Sequence, residues 1–217
     1  MIITIDGPAS AGKGTLANSL SKKYGLAYFD TGMVYRAVGL QMVLSGTPFE
    51  DVAKAEDFAQ KLDFPTMMEL AQHKDFRSDV GGKAASVVAA IPGVRSALLK
   101  MQQDFAKNPV FANGQKANGA VYDGRDTGTV VCPNADVKLF ITASPEVRAE
   151  RRHKEFLSKG IDKTYAEVLE QIKERDDRDE KRASAPLKPA EDAIIFDTSE
   201  YNAEQVLEKV CQIVDSY

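Results

Sequence analysis

Lys13 is the side chain most clearly set up for chemistry, because it ends a glycine-bearing loop: Gly7-Pro8-Ala9-Ser10-Ala11-Gly12-Lys13-Gly14-Thr15. In a loop of this spacing, backbone N–H groups turn inward onto phosphate oxygens, and the helix that follows adds partial positive charge at its N-terminus. Gly7 and Gly12 supply backbone angles that other residues avoid, and Lys13 brings a mobile full charge to the outer phosphates of a nucleoside triphosphate. Ser or Thr usually follows such a lysine directly and holds a metal ion; here Gly14 stands in that place and Thr15 comes after it. Magnesium is therefore expected to be held by Thr15 or Asp123, directly or through water, with nothing from position 14.

The arginines are the second set of candidates, and unlike the scattered lysines they cluster. Arg125 follows the expected third strand; Arg148, Arg151 and Arg152 lie at i, i+3 and i+4; Arg175, Arg178, Asp179 and Arg182 form another helical face. A charged helix face by itself reads as solvated surface. Joined to a phosphate-binding loop, guanidinium forks read as ligands for a second anion and for the group in transit between the two. The chemistry that fits is phosphoryl transfer, in which positioning and charge stabilisation do most of the work. A phosphate acceptor is already ionised near neutral pH, so no general base is required, and no histidine, cysteine or serine–base pair offers one. His73 and His153 sit in polar surroundings and read as surface residues.

These groups need a scaffold, and the hydrophobic pattern supplies one. Ile2-Ile3-Thr4-Ile5-Asp6 reads as a buried strand ahead of the loop, and Leu16-Ala17-Asn18-Ser19-Leu20 as the helix behind it. Further strands are expected at Ala27–Asp30, Ala120–Asp123, Val137–Ile141 and Ala193–Asp197. Helix starts are marked by Thr31, Ser78, Ser144-Pro145-Glu146 and the capping box Thr164-Tyr165-Ala166-Glu167, and a closing helix is expected over Ala203–Val214. Between Glu50 and Phe76 the pattern turns charged and irregular, with a short helix near Val52–Leu62 and a weak apolar stretch at Phe64–Met68. Asn113–Gly119, with two Asn-Gly turns, reads as an exposed loop. Short, continuously apolar strands alternating with helices argue an α/β fold with a parallel sheet covered on both faces.

With 217 residues and 43% hydrophobic content the chain can bury one substantial core. A net charge of −4 argues against general attraction to nucleic acid or an anionic membrane, so any anion site must be local. Cys132 and Cys211 lie among apolar neighbours with no metal-ligand spacing and read as buried free thiols of a reducing compartment. The chain opens on a core strand and has no apolar run long enough to span a bilayer, so a cytoplasmic protein is expected; a monomer is expected as well.

Four motifs together resemble the bacterial cytidylate kinases, over nearly the whole chain. They are Ile5-Asp6-Gly7-Pro8 with Gly12-Lys13-Gly14-Thr15; Asp30-Thr31-Gly32 with Tyr35-Arg36; Asp123-Gly124-Arg125-Asp126 with Gly128-Thr129-Val130-Val131; and Glu174-Arg175-Asp176-Asp177-Arg178-Asp179 with Arg182 and Ala185-Pro186-Leu187. The resemblance implies a three-layer P-loop kinase fold with a five-stranded parallel sheet, and transfer of the γ-phosphate of ATP to CMP or dCMP. It implies a core of residues 1–38, 86–147 and 160–217, a monophosphate-binding insert at about 39–85 and a lid at about 148–159. Thr31, Ser86, Arg95 and Asp126 would form the cytosine pocket with Tyr35 beside the base; Arg36, Arg125 and Arg182 would hold the acceptor phosphate, and Asp179 the sugar. Arg148, Arg151 and Arg152 would be the lid arginines, with Arg175 and Arg178 nearby. The insert is shorter than the family's usual one and lacks its strand-rich middle, and the Asn113–Gly119 loop is extra. Two other readings compete: a kinase for UMP or AMP on the same fold, and a nucleotide-dependent regulatory protein that transfers nothing.

Overall fold

The computed structural model describes residues 1–217. Its centre is a parallel sheet of five strands, β1 (Ile2–Asp6), β2 (Ala27–Asp30), β3 (Ala120–Gly124), β4 (Val137–Thr142) and β5 (Ile194–Asp197), in the order β2-β3-β1-β4-β5. Strand β1 pairs Asp6 with Gly124 on one side and with Phe140 on the other. The chain therefore leaves β1 between a strand that follows it to the left and one that follows it to the right. At such a switch point the crossover helices diverge and a crevice opens beyond the strand ends.

Helix α1 (Lys13–Tyr24) and α9 (Ala203–Val214) cover one face, where Leu16, Leu20, Val206 and Val210 pack with Ile3, Ile5 and Leu139. Helices α2 (Gly32–Leu44), α5 (Asp79–Val88) and α6 (Pro92–Lys107) serve the other, where Val34, Val38, Val88 and Leu98 meet Phe29 and Tyr122. Ile3, Ile5 and Ile141 have no solvent exposure, and truncating any of them to Ala costs roughly 2–5 kcal/mol. The strand ends that carry the polar residues are thus held by well-packed neighbours.

Helices α3 (Val52–Lys61) and α4 (Phe64–Leu70) lie within residues 39–85, where Ala55, Ala59, Met67 and Phe76 join the same apolar cluster as Phe29 and Tyr122. The Phe64–Met68 stretch is therefore helical; Asp63 starts it by accepting from Thr66 N at 2.8 Å, a cap that a weak apolar pattern does not disclose. Helices α7 (Pro145–Ser158) and α8 (Tyr165–Lys181) pack through Ala149, Phe156, Val168 and Ile172. The expected loop at Asn113–Gly119 lies within a longer connection, residues 108–119, held by an antiparallel bridge between Val110 and Lys116 and by bonds from Ala27 N to the Gly119 carbonyl and from the Met1 amine to the Asn118 carbonyl.

Ser78, Ser144 and Thr164 cap α5, α7 and α8 as their sequences indicate. Thr31 does not cap α2: its backbone is already helical and its hydroxyl donates to the Asp123 carbonyl at 2.9 Å, while Asp30 accepts from Gly32 N. A turn of π-helix over Thr127–Val131 follows β3, where no periodic signal marks it. Both cysteines are buried and free, and no single helix is long and apolar enough to cross a membrane.

Candidate active site

The glycine-bearing loop leaves β1 at the switch point. Gly7 has φ 145°, and a Cβ there would lie 1.9 Å from the Ile141 carbonyl oxygen, so only glycine lets β1 run into the loop beside β4. Gly12, at φ 92°, starts α1 without a side-chain cap, which leaves the first N–H groups of the helix facing the cleft. Lys13 is 5% exposed; its Nζ donates to the Pro8 carbonyl at 2.8 Å and stands 4.0 Å from Asp123 Oδ1. Burial and the neighbouring Arg125 pull the lysine down to about 7, with Asp123 opposing; burial pushes the Asp123 carboxyl up to about 6, with Lys13 opposing.

Position 14 now has a physical account. A Cβ on Gly14 would come within 3.2 Å of Asp123 Oδ2, so a hydroxyl-bearing side chain there would press on the carboxylate. Tyr28 closes the far side, its hydroxyl 3.5 Å from the same oxygen.

A cleft of about 1250 Å³ runs from this loop to α5 and α6, larger than one small ligand requires. At its far end Arg95 forms a buried ion pair with Asp126, donates to the Ala89 carbonyl at 3.2 Å, and lies over the Tyr35 ring at 5.2 Å. Arg182 Nη2 is 3.8 Å from the other Asp126 oxygen, and its Nε donates to the Ala185 carbonyl at 2.6 Å. Thr31 lines the same end, and Ser86 accepts from Arg178 at 2.7 Å. Thr31, Tyr35, Ser86, Arg95, Asp126 and Arg182 are thus brought together from four separate stretches of chain.

Between the two ends lie Arg36, Arg125, Arg175 and Asp179. Arg125 Nε donates to Asp179 at 3.0 Å, and Arg36 donates to the Phe76 carbonyl at 2.8 Å. Arg175 Nε is 3.9 Å from Asp179, and both it and Arg182 Nη2 are buried with no hydrogen-bond partner. Burial and the charge of Arg125 pull Arg175 down to about 10, and burial lowers Arg36. Crowded, desolvated guanidinium groups with unused donors form a site that an anion would stabilise.

The three arginines of α7 do not converge. Arg148 is 3% exposed and turns away from the cleft: it holds Asp176 through two bonds of 3.0 and 2.6 Å, and donates to the carbonyls of Ala143 at 2.8 Å and Ala9 at 3.3 Å. It thus lines a pocket with Asp176 beside the cleft, while Arg151 and Arg152 line the cleft itself. Positions i, i+3 and i+4 span an arc of about 100° on a helix, enough to reach different partners. Arg151 donates to Thr198 Oγ1 and to its carbonyl at 3.0 and 2.7 Å, in the stretch after β5. Arg152 reaches Asp79 on α5 at 3.0 Å and Glu155 at 2.7 Å, and Lys163 pairs with the same Asp79.

Asp79 and Lys163 are absent from the residues singled out by sequence, and Asp6 appears there only within the Ile5-Asp6-Gly7-Pro8 motif, with no role assigned to it. Asp6 had a signal, a carboxylate closing an apolar strand just before a phosphate loop. Asp79 and Lys163 are separated by 84 residues and had none.

No group of three or more His, Cys, Asp or Glu side chains could hold a metal ion. Thr15 and Asp123 both line the cleft beside the loop. One hydroxyl and one carboxylate next to a phosphate site suit magnesium, which keeps several waters and binds through few protein oxygens plus phosphates.

Comparison with known proteins agrees over the full length. The protein-family model described as cytidylate kinase matches residues 3–216. A cytidylate kinase of Paramagnetospirillum magneticum is 51% identical over 215 residues, covering 99% of this chain and 98% of that protein. One of Xanthobacter autotrophicus is 49% identical over 216 residues, covering 100% and 98%. Among solved structures, a shikimate kinase from Bacteroides thetaiotaomicron superposes with a TM-score of 0.51 at 13% identity, covering 99% of this chain and 98% of that one, a likeness of fold alone. With the family model spanning all but the chain's ends and half the residues shared with such relatives, the chain belongs to the cytidylate kinase family.

Proposed function

We infer that the protein transfers the γ-phosphate of ATP to CMP or dCMP, giving ADP and CDP or dCDP. The observation that carries this reading, beyond family membership, is the buried Arg95–Asp126 pair against Tyr35, opening into the same cleft as the phosphate loop. Asp126 accepts and Arg95 donates, the complement of the cytosine amine and N3.

In this reading Gly7–Thr15 hold the triphosphate, with Lys13 on its outer phosphates. Thr31, Ser86, Arg95 and Asp126 read the base beside Tyr35; Arg36, Arg125 and Arg182 hold the acceptor phosphate; Asp179 takes the sugar. An acceptor phosphate oxygen bonds to the γ-phosphorus as the bond to the β–γ bridging oxygen breaks, and ADP leaves with that electron pair. Lys13, Arg152, Arg175 and Arg178 oppose the charge spread over the phosphoryl group, with Arg151 beside them at the Thr198 stretch. Arg148 acts from behind, holding the loop through Ala9. Magnesium, when bound at Thr15 and Asp123, adds charge neutralisation of the phosphates. The buried free thiols suit a reducing, cytoplasmic compartment, and in this reading the protein serves pyrimidine nucleotide metabolism as a monomer, without nucleic acid or membrane.

A substrate panel tests the reading: purified protein with ATP and each nucleoside monophosphate, following ADP. Multiple-turnover ADP formation is expected with CMP and dCMP, far above that with UMP or AMP. A preference for UMP or AMP, or no turnover with any, would overturn it.

A further inference from the structure

Asp6 is the last residue of β1, 4% exposed, and is bound directly by neutral donors, while the charges of Lys13 and Arg125 act on it from further off. Its Oδ1 accepts from the backbone N–H and the hydroxyl of Thr127, both at 2.8 Å, and its Oδ2 accepts from Gly128 N at 2.7 Å. Those two N–H groups open the π-helical turn Thr127–Val131, and the first donors of any helical segment have no partner within it. A helix normally satisfies them with the side chain of its own N-cap residue.

Here the N-cap residue is Asp126, a side chain well suited to that task, yet it makes no capping bond; it pairs with Arg95 and faces Arg182 instead. Asp6, 121 residues before Thr127, does the capping. Burying a carboxylate without a directly paired cation is costly, and it is tolerated here because three donors satisfy it. The surroundings leave little slack: a Cβ on Gly128 would come within 3.0 Å of Thr4 Oγ1, and one on Gly124 within 2.5 Å of Thr127 and of Thr31.

We propose that Asp6 is a positioning residue for base selection: by capping the turn from outside, it frees the Asp126 carboxylate to face Arg95 and the base. This deepens the reading of Asp126 as the base-reading group and rests on it. An amide at position 6 offers one acceptor and turns its NH₂ toward a backbone N–H. Asp126 then becomes the nearest cap for its own turn and leaves the base pocket.

The test compares wild type, Asp6→Asn, Asp126→Asn and the double variant. Asp6→Asn is expected to raise KM for CMP and shrink the CMP-to-UMP ratio of kcat/KM by about ten-fold, with ATP affinity changed less than about two-fold. Because Asp6 acts through Asp126, the double variant is expected to match the ratio of Asp126→Asn alone. An unchanged ratio in folded Asp6→Asn, additive losses in the double variant, or equal loss of ATP and CMP binding would each overturn the proposal. If Asp6→Asn does not fold, Thr127→Val removes one of the three donors; a several-fold drop in the ratio supports the proposal and an unchanged ratio overturns it. Wild type separates the two levels: failure to prefer CMP there sinks the functional reading, whereas retention of the preference in Asp6→Asn sinks this proposal alone.

Discussion

Cytosine presents an amine donor beside its N3 acceptor, and uracil presents a carbonyl beside an N3–H, so the two bases demand opposite partners. An ionised Asp126 can only accept and Arg95 can only donate. Both side chains are 7% exposed, so in the proposed reading a mismatched base would leave polar groups unpaired out of reach of water, and discrimination would come partly from repulsion. Asp126→Asn keeps the shape but offers a donor. Its kcat/KM for CMP is expected to fall and its CMP-to-UMP ratio to shift toward UMP by roughly ten-fold or more; an unchanged ratio in folded protein would remove Asp126 from base reading. Lys13 gives a second expectation. With its proton held only up to about pH 7 in the free protein, a growing share is neutral as pH rises, whereas a bound triphosphate favours the charged form. ATP binding at about pH 8 should therefore take up a proton and weaken as pH rises further, seen as binding heats that differ between buffers of different ionisation enthalpy. No net proton uptake would count against Lys13 as the triphosphate's charge partner.

At the scale of elements, what was legible in the sequence was local. The five strands and the caps Ser78, Ser144 and Thr164 announce themselves through apolar runs and residues a few positions apart. Thr31, Asp6 and Arg148 take partners 92, 121 and 28 residues away, and no short-range pattern encodes such pairings. The P-loop was legible for the same local reason; Tyr35 and Asp126 stood out only through the family resemblance, and which arginines reach the cleft was not legible. The neighbours Asp176 and Asp177 make the point testable. Asp176 is 14% exposed and neutralises buried Arg148, which also ties α8 to the loop at Ala9, whereas Asp177 is 59% exposed and pairs only with exposed Lys181. Asp176→Ala strands a buried guanidinium and should cost about 3–5 kcal/mol in urea unfolding. Asp177→Ala should change stability by less than about 1 kcal/mol. Equal effects would mean that Arg148 is not anchored as described.

At the scale of the whole molecule, an overall charge of −4 surrounds a cleft lined by twelve Lys and Arg side chains against eight Asp and Glu. Nucleotides are therefore attracted by the site's local field, and binding them relieves repulsion that folding leaves in place. The mouth of the cleft is already bridged: Arg152 and Lys163 meet Asp79 on α5, and Arg178 meets Ser86 on the same helix. Anions bound between these walls would draw Arg36, on α2, and Arg175, on α8, inward from opposite sides, shutting out water that would compete for the phosphoryl group. We expect CMP with a non-hydrolysable ATP analogue to slow hydrogen exchange in residues 39–85 and 148–159 and to raise the unfolding temperature. At a hundred-fold excess over Kd each ligand adds about 2.7 kcal/mol. The slowing should be larger with both ligands than with either alone, since only the pair engages both walls. Identical exchange in these segments with and without ligands would show that the cleft binds without closing.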